Sequence, residues 1–170
     1  MLTVSQIMFT RKVEEGLQAN DPYKASKDFY VFACKQLNQI VSQVQQPMDD
    51  LSRATYASLI VLEVHSKDVI DSIQQKNVSS VEDFNWISQL RYYYVTYTDC
   101  VIAKMITTDQ KYCNEYLGNT ARLVITALTD RCYRTMMSAM SMFLGSAPEG
   151  PAGTGKTETV KDLAKAIGVY

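Results

Sequence analysis

Apolar residues recur every three or four positions along the first part of the chain, which is the spacing of amphipathic helices. The pattern predicts one helix over residues 2–18, a second over about 24–45 and a third over roughly 49–75. Prolines interrupt the pattern between these helices, and either Asp49 or Asp50 is placed to cap the third. The first 75 residues are therefore expected to form a helical unit.

The character of the chain changes after a fourth predicted helix. Ser79-Ser80-Val81-Glu82 fits a capping box that would open this helix. Beyond it, residues 91–97 are aromatic and β-branched, which favours a strand, and residues 100–106 are the expected hairpin partner. Residues 122–126 predict a third short strand. The fourth helix is expected to contain Phe84, Trp86, Ile87 and Leu90.

Two more helices are predicted in the last third of the chain. Thr129 or Asp130 would begin a helix of about 130–144, and Gly145 would end it. Residues 158–167 also carry apolar side chains at helical spacing. The predicted fold class is thus mostly α with a small β component (α+β). The buried stripe of the helix over 130–144 is predicted to be Cys132, Met136, Met140 and either Phe143 or Leu144.

Composition narrows the functions that these elements could serve. The 170 residues are enough for one domain with a real core or for parts of two. A net charge of −1 gives no basic field for nucleic acid, and no apolar run approaches the ~20 residues of a membrane span. Four scattered cysteines and one histidine form neither a zinc pattern nor a disulfide framework. No nucleic-acid or membrane partner is expected.

Residues 150–157 fit G-x-x-x-x-G-K-[ST], the phosphate-binding P-loop. Its glycines allow backbone conformations in which consecutive N–H groups point at phosphate oxygens. Lys156 would place a cation against the β- and γ-phosphates, and the Thr157 hydroxyl would ligate Mg²⁺. The helix that follows would present its positive dipole end to the same anion. The predicted phosphate site consists of Gly150, Pro151, Ala152, Gly153, Thr154, Gly155, Lys156, Thr157 and Glu158.

A P-loop ATPase also needs an acidic strand end that holds Mg²⁺ and polarises the attacking water. Few residues follow Thr157, and Leu59–Glu63, an apolar run with a final acid, lies before the loop inside a long helical stretch. Three functions stay open: a nucleotide-binding part of a larger machine, a structural helical module with a vestigial P-loop, and a small self-contained P-loop nucleotide kinase. The kinase would need a complete sheet after residue 157. Dependence of ATP affinity on Mg²⁺ and Lys156 separates the first function from the second.

Several strings along the chain match one protein family. They are Val64-His65-Ser66-Lys67-Asp68-Val69-Ile70, Asp83-Phe84-Asn85-Trp86, Gln89-Leu90-Arg91-Tyr92-Tyr93, Glu115-Tyr116-Leu117-Gly118-Asn119, Arg122 to Thr126, Leu128 to Tyr133 and Gly150 to Leu163. The chain resembles dynein heavy chains, most closely the axonemal kind. The resemblance covers nearly the full chain and is most specific from residue 115 onward.

The resemblance implies a place within the motor. Residues 1–114 would be the C-terminal part of the linker, which is helical and ends in short strands. Residues 115–170 would be the incomplete start of the first AAA+ module, an α/β unit that binds ATP or ADP with Mg²⁺. Ala127 stands where the family usually has proline, which would loosen the turn beside the adenine. The residues implied on the adenine side are Val124, Leu128 and Thr129.

The parent family is an ATP-driven, minus-end-directed microtubule motor of cilia and flagella, so the implied location is the cytoskeleton of the axoneme. Its implied partners are ATP, microtubules reached through a stalk, and dynein intermediate, light intermediate and light chains. The acidic Walker B motif and the sensor residues of the family have no match in these residues. The chain is therefore expected to bind ATP phosphates and to couple the nucleotide site to the linker without hydrolysing ATP by itself.

Overall fold

The computed structural model describes residues 1–118 and 121–169, so Asn119, Thr120 and Tyr170 lie outside the described residues. Long helices dominate and the strands form one small antiparallel sheet, which confirms the predicted fold class. In chain order the elements are α1 (Leu2–Leu17), α2 (Pro22–Val44), α3 (Asp50–Gln75), α4 (Phe84–Ile87), β1 (Arg91–Val95), β2 (Cys100–Met105), β3 (Thr108–Lys111), α5 (Ala127–Ser141) and α6 (Lys156–Ile167).

The three long helices α1, α2 and α3 lie where the apolar spacing predicts them. The Asp21 carboxylate accepts a hydrogen bond from the Lys24 backbone N–H at 3.0 Å and caps α2. Asp49 caps α3 in the same way, accepting from the Ser52 N–H at 2.9 Å, so Asp49 rather than Asp50 is the cap. A first hydrophobic cluster lies among these three helices and the segment that follows them. It contains Val13, Leu17, Ala33, Val69, Ile70, Ile73, Val78 and Trp86.

The fourth predicted helix is much shorter than the sequence indicates. It is a single turn, Phe84–Ile87, and Asp83 caps it by accepting a hydrogen bond from the Asn85 N–H at 2.7 Å. The capping box predicted over residues 79–82 is therefore wrong. Leu90 lies beyond the turn and packs against the sheet, because the chain enters β1 directly after it.

The sheet confirms one sequence prediction and corrects another. β1 and β2 form the expected antiparallel hairpin, with Tyr92 opposite Ala103. The third strand is β3, which pairs with β2, whereas residues 122–126 form no strand although all of them are described. The sequence of β3 is too polar to signal a strand. The first two residues of the run at 122–126, Arg122 and Leu123, are bound instead by Asp162 of α6, as described below.

The start of α5 also differs from its prediction. It begins at Ala127 because Thr126 and Thr129 form a capping box. The Thr126 N–H donates to Thr129 Oγ1 at 2.7 Å, and the Thr129 N–H donates to Thr126 Oγ1 at 3.3 Å. Neither Thr129 nor Asp130 is the cap, and the helix ends at Ser141, before Gly145.

The buried face of α5 is rotated relative to the predicted stripe. Met136 is buried as expected, but the other fully buried positions are Tyr133 and Met137, which face the sheet and α6. Packing against these neighbours, which the helical period does not reveal, sets the face that is buried. Of the remaining predicted positions, Cys132 and Met140 are half-buried, whereas Phe143 and Leu144 are exposed beyond the end of the helix.

A second hydrophobic cluster lies between the sheet, α5 and α6. It joins residues from both sides of the predicted boundary at 114 and 115, so the two parts share one core. Its buried members are Tyr92, Ala103, Met105, Tyr133, Met136, Met137, Leu163 and Ile167.

Gly168 ends α6 in a way that only glycine permits. Its φ is +70°, and a Cβ atom there would lie 2.7 Å from Cζ of Tyr112 and 3.1 Å from the Asn114 backbone nitrogen. We expect Gly168→Ala to lower the free energy of unfolding by about 2 kcal/mol, from left-handed strain and overpacking. Gly145→Ala, where a Cβ meets nothing within 4 Å, is the matched control. Equal urea midpoints for the two variants would contradict this reading.

Candidate phosphate-binding loop

The loop of residues 150–157 is exposed except at the half-buried Lys156, where α6 begins. Gly153 and Gly155 both have φ of +76°, the left-handed conformation that the motif predicts for glycine. Gly155 is also the N-cap of α6, and no side chain caps this helix. The N–H groups of the first turn of α6 can therefore serve an anion in the loop.

Lys156 folds over its own loop. Its ammonium group donates to the Gly150 carbonyl at 2.7 Å, to the Pro151 carbonyl, and to Thr154 Oγ1 at 3.4 Å. The Thr154 hydroxyl in turn donates to the Pro151 carbonyl at 2.9 Å. The cation thus lies in the loop among neutral acceptors. A phosphate oxygen could replace one of these acceptors, because it would bring a negative charge to the ammonium group, which the carbonyls lack.

The other predicted site residues lie around this arrangement. Ala152 and Thr157 are exposed, and Thr157 stands in the first turn of α6. One protein hydroxyl suits Mg²⁺, which usually keeps several waters and takes its remaining ligands from substrate phosphates. Glu158 pairs with Lys161 at 3.2 Å on the exposed surface of the same helix.

The residues implied on the adenine side lie just before α5 and in its first turn. Val124 and Leu128 are 65% and 70% exposed, so neither side chain is used by the core. Thr129 belongs to the capping box with Thr126. Ala127 is the first residue of α5, a position that accepts proline readily, and the two threonines hold the turn around it.

A buried carboxylate connects this segment to the helix of the loop, and sequence reasoning missed it. Asp162 of α6 accepts hydrogen bonds from Arg122 Nε at 2.9 Å and Nη2 at 3.0 Å, from the Leu123 N–H at 2.9 Å and from the Tyr133 hydroxyl at 2.6 Å. The sequence does carry a signal: the acidic Asp162 lies among the apolar positions of α6, and Arg122 is the first residue of the run at 122–126. These bonds replace the strand that was predicted there.

Burial and pairing act in opposite directions on the charge of Asp162. Burial raises the pKa of the carboxyl, but hydrogen bonding and the positive charge of Arg122 outweigh it and hold the pKa below its ordinary value. Burial lowers the pKa of Arg122, whereas the Asp162 partner raises it by more. Both groups are therefore charged at neutral pH, as a buried ion pair with side chains only 9% and 2% exposed.

Tyr92 links the helix of the loop to the first helical unit. Its hydroxyl donates to the Ala166 carbonyl of α6 at 2.9 Å, and its backbone N–H donates to the Thr10 hydroxyl of α1 at 3.0 Å. Burial raises the pKa of Tyr92, so the hydroxyl stays a neutral donor. Tyr92 of β1 thus contacts both α6 and α1.

Other kinds of site are not found in the described part of the chain. Across residues 1–118 and 121–169, no three or more His, Cys, Asp or Glu side chains come together as a metal cluster. The four cysteines are free thiols. No described helix combines the length and apolar character needed to cross a membrane.

The sequence of the chain is similar to that of known proteins. A family model described as "Hydrolytic ATP binding site of dynein motor region" matches residues 112–170. Dynein axonemal heavy chain 3 of Mus musculus is 48% identical over 167 residues, which is 98% of this chain and 4% of that protein. Dynein axonemal heavy chain 1 of Homo sapiens is 47% identical over 164 residues, 96% of this chain and 4% of that protein.

More distant members agree with these two. Dynein axonemal heavy chain 6 of Homo sapiens is 44% identical over 171 residues, covering 99% of this chain and 4% of that protein. The chain thus spans only about 4% of the length of each of these three curated relatives. The similarity runs through nearly all of the chain and includes the residues of the loop. The chain therefore belongs to the dynein heavy-chain family and is similar to its axonemal members.

Proposed function

We propose that the chain binds ATP, or its product ADP, with the phosphates in the loop of residues 150–157. The observation that carries this proposal is the convergence of three features at one place. They are the left-handed Gly153 and Gly155, the uncapped start of α6, and the ammonium group of Lys156. Thr157 would hold Mg²⁺, which neutralises phosphate charge when bound. The adenine would lie against Val124, Leu128 and Thr129.

The second part of the proposal concerns mechanical coupling. Residues 1–114 would be the C-terminal part of the linker, and residues 115–170 would be the start of the first AAA+ module. The shared hydrophobic cluster and the two hydrogen bonds of Tyr92 support coupling between these parts. A movement of α6 that follows a change of nucleotide would reach α1 through Tyr92 of β1.

In the complete heavy chain, this stretch would serve a minus-end-directed microtubule motor of the axoneme. Microtubules and the intermediate, light intermediate and light chains would then be partners of the whole motor. Hydrolysis would also require a Walker B acid and sensor residues, and these 170 residues contain no sequence that matches them. We therefore propose nucleotide binding and coupling as the contribution of this stretch.

Calorimetric titration of the purified 170-residue chain with ATP in excess Mg²⁺ tests the binding proposal. We expect a dissociation constant on the order of micromolar, equivalent to about −8 kcal/mol. Chelation of Mg²⁺ is expected to weaken binding, because Thr157 would hold the metal and the metal would neutralise phosphate charge. Absence of ATP binding would contradict the proposal and favour a structural module with a vestigial loop.

A further inference from the structure

Asp162 joins three separate parts of the chain at one carboxylate. It lies on α6, accepts three hydrogen bonds from Arg122 and Leu123 in the segment before α5, and accepts a fourth from Tyr133 on α5 itself. Asp162 is only 1% exposed. The donor groups of Arg122, Leu123 and Tyr133 are therefore held in fixed orientations around the carboxylate. Water could replace one of these donors only if the core opened.

The position of this carboxylate relates the two halves of the proposed nucleotide site. Lys156 begins α6, and Asp162 lies about 9 Å farther along the same helix axis, at 1.5 Å per residue. The segment Leu123–Thr129 is bound to Asp162 at its start through the Leu123 N–H and beyond its end through Tyr133. A rigid helix thus separates the phosphate loop from the anchor of the adenine-side segment.

A further contact strengthens the same connection. Lys165, also on α6, donates from its ammonium group to the Ala121 carbonyl at 3.1 Å. The exposed Val124 and Leu128 follow this anchored stretch, and their side chains take no part in the core. A buried ion pair of this kind contributes little net stability, but it restricts the geometries that the chain can adopt.

We propose that Asp162 is a positioning residue for nucleotide binding: through Arg122 and Tyr133 it fixes the adenine-side segment relative to the phosphate loop. This proposal rests on the proposed function, since it assumes that the phosphates lie in the loop and the adenine beside Val124 and Leu128. Asp162 itself would contact neither the phosphates nor the adenine. Its effect is to have both surfaces in place before the nucleotide arrives, which lowers the cost of ordering them on binding.

The test compares ATP with inorganic tripolyphosphate, which offers the phosphates without adenine or ribose. Both would be titrated in excess Mg²⁺ into the 170-residue chain and its Asp162→Asn and Tyr133→Phe variants. We expect Asp162→Asn to lower ATP affinity about tenfold or more, while tripolyphosphate affinity stays within about twofold. Tyr133→Phe removes one of the four hydrogen bonds, and we expect about a threefold loss for ATP alone.

Tyr133→Phe keeps the test decisive if Asp162→Asn fails to fold, as circular dichroism would show. Glu15→Gln is the matched control, since Glu15 pairs with Arg11 and Lys12 on the exposed surface of α1. Equal losses for ATP and tripolyphosphate, or no loss for either, would overturn the positioning role while leaving the proposed function intact. Failure of the unaltered chain to bind both ligands would overturn the proposed function and this inference with it.

Discussion

Lys156→Ala is expected to lower the affinity of the chain for ATP by about 100-fold, equivalent to about 2.7 kcal/mol. The Lys156 ammonium group already lies inside the loop, held by the Gly150 and Pro151 carbonyls. In the nucleotide complex it would face the β- and γ-phosphates, where a charge-assisted hydrogen bond is about twice as strong as one between neutral groups. Alanine leaves the phosphate charge without this partner. Calorimetric titration in excess Mg²⁺ measures the change.

Lys12→Ala is the matched control for this substitution. It removes the same charge from an exposed position on α1, where Lys12 pairs with Glu15 at 3.3 Å. The two variants share their net charge, so any general electrostatic effect on ATP cancels between them. If Lys156→Ala binds ATP as tightly as Lys12→Ala does, then residues 150–157 are not the phosphate site.

Trp86→Ala is expected to have the largest effect on stability, a loss of about 4 kcal/mol in the free energy of unfolding. Trp86 is completely buried in the first hydrophobic cluster, and its ring packs edge-on against Phe9 with centroids 6.1 Å apart. Its indole N–H donates to Glu14 Oε1 at 3.3 Å. Alanine would leave a cavity among α1, α3 and the turn of α4, together with an acceptor that has lost one donor. Urea unfolding followed by circular dichroism measures the loss.

Phe84→Ala provides the comparison within the same helical turn. Phe84 is 58% exposed although it lies only two positions from Trp86, and its removal creates no buried cavity. We expect a loss of about 0.5 kcal/mol or less for this variant, as for other surface substitutions. Similar losses for Phe84→Ala and Trp86→Ala would show that the burial of Trp86 does not stabilise the first cluster.

Local signals account for the parts of the fold that the sequence predicts well. The long helices repeat their apolar spacing over many turns. Asp21 caps α2, and Asp49 caps α3. The hairpin of β1 and β2 follows from its aromatic and β-branched residues. The loop before α6 is recognised because the residue types that cradle a phosphate must come in one short, fixed order. In each case the determining residues are neighbours in the chain.

Non-local contacts account for the parts that the sequence predicts wrongly. The run at 122–126 has the composition of a strand, but Arg122 and Leu123 are bound to Asp162, far away in the sequence. β3 is polar, and it becomes a strand because β2 offers it a free edge. The buried face of α5 contains Tyr133 and Met137, because the sheet and α6 lie on that side of the helix. Propensity is a weak prior when such partners are present.

The sequence by itself determined the helical unit, the first hairpin and the membership of the dynein heavy-chain family, and it identified the candidate phosphate loop, because each of these depends on residues close together or on a specific string. Only the tertiary structure decided the third strand, the start and buried face of α5, and the connection of the adenine-side segment to α6. These depend on which distant groups meet. The carboxylate of Asp162 is buried, and leaving its charge unpaired in the core would cost more free energy than overriding the strand preference of residues 122–126. The folded chain therefore brings distant donors to this carboxylate.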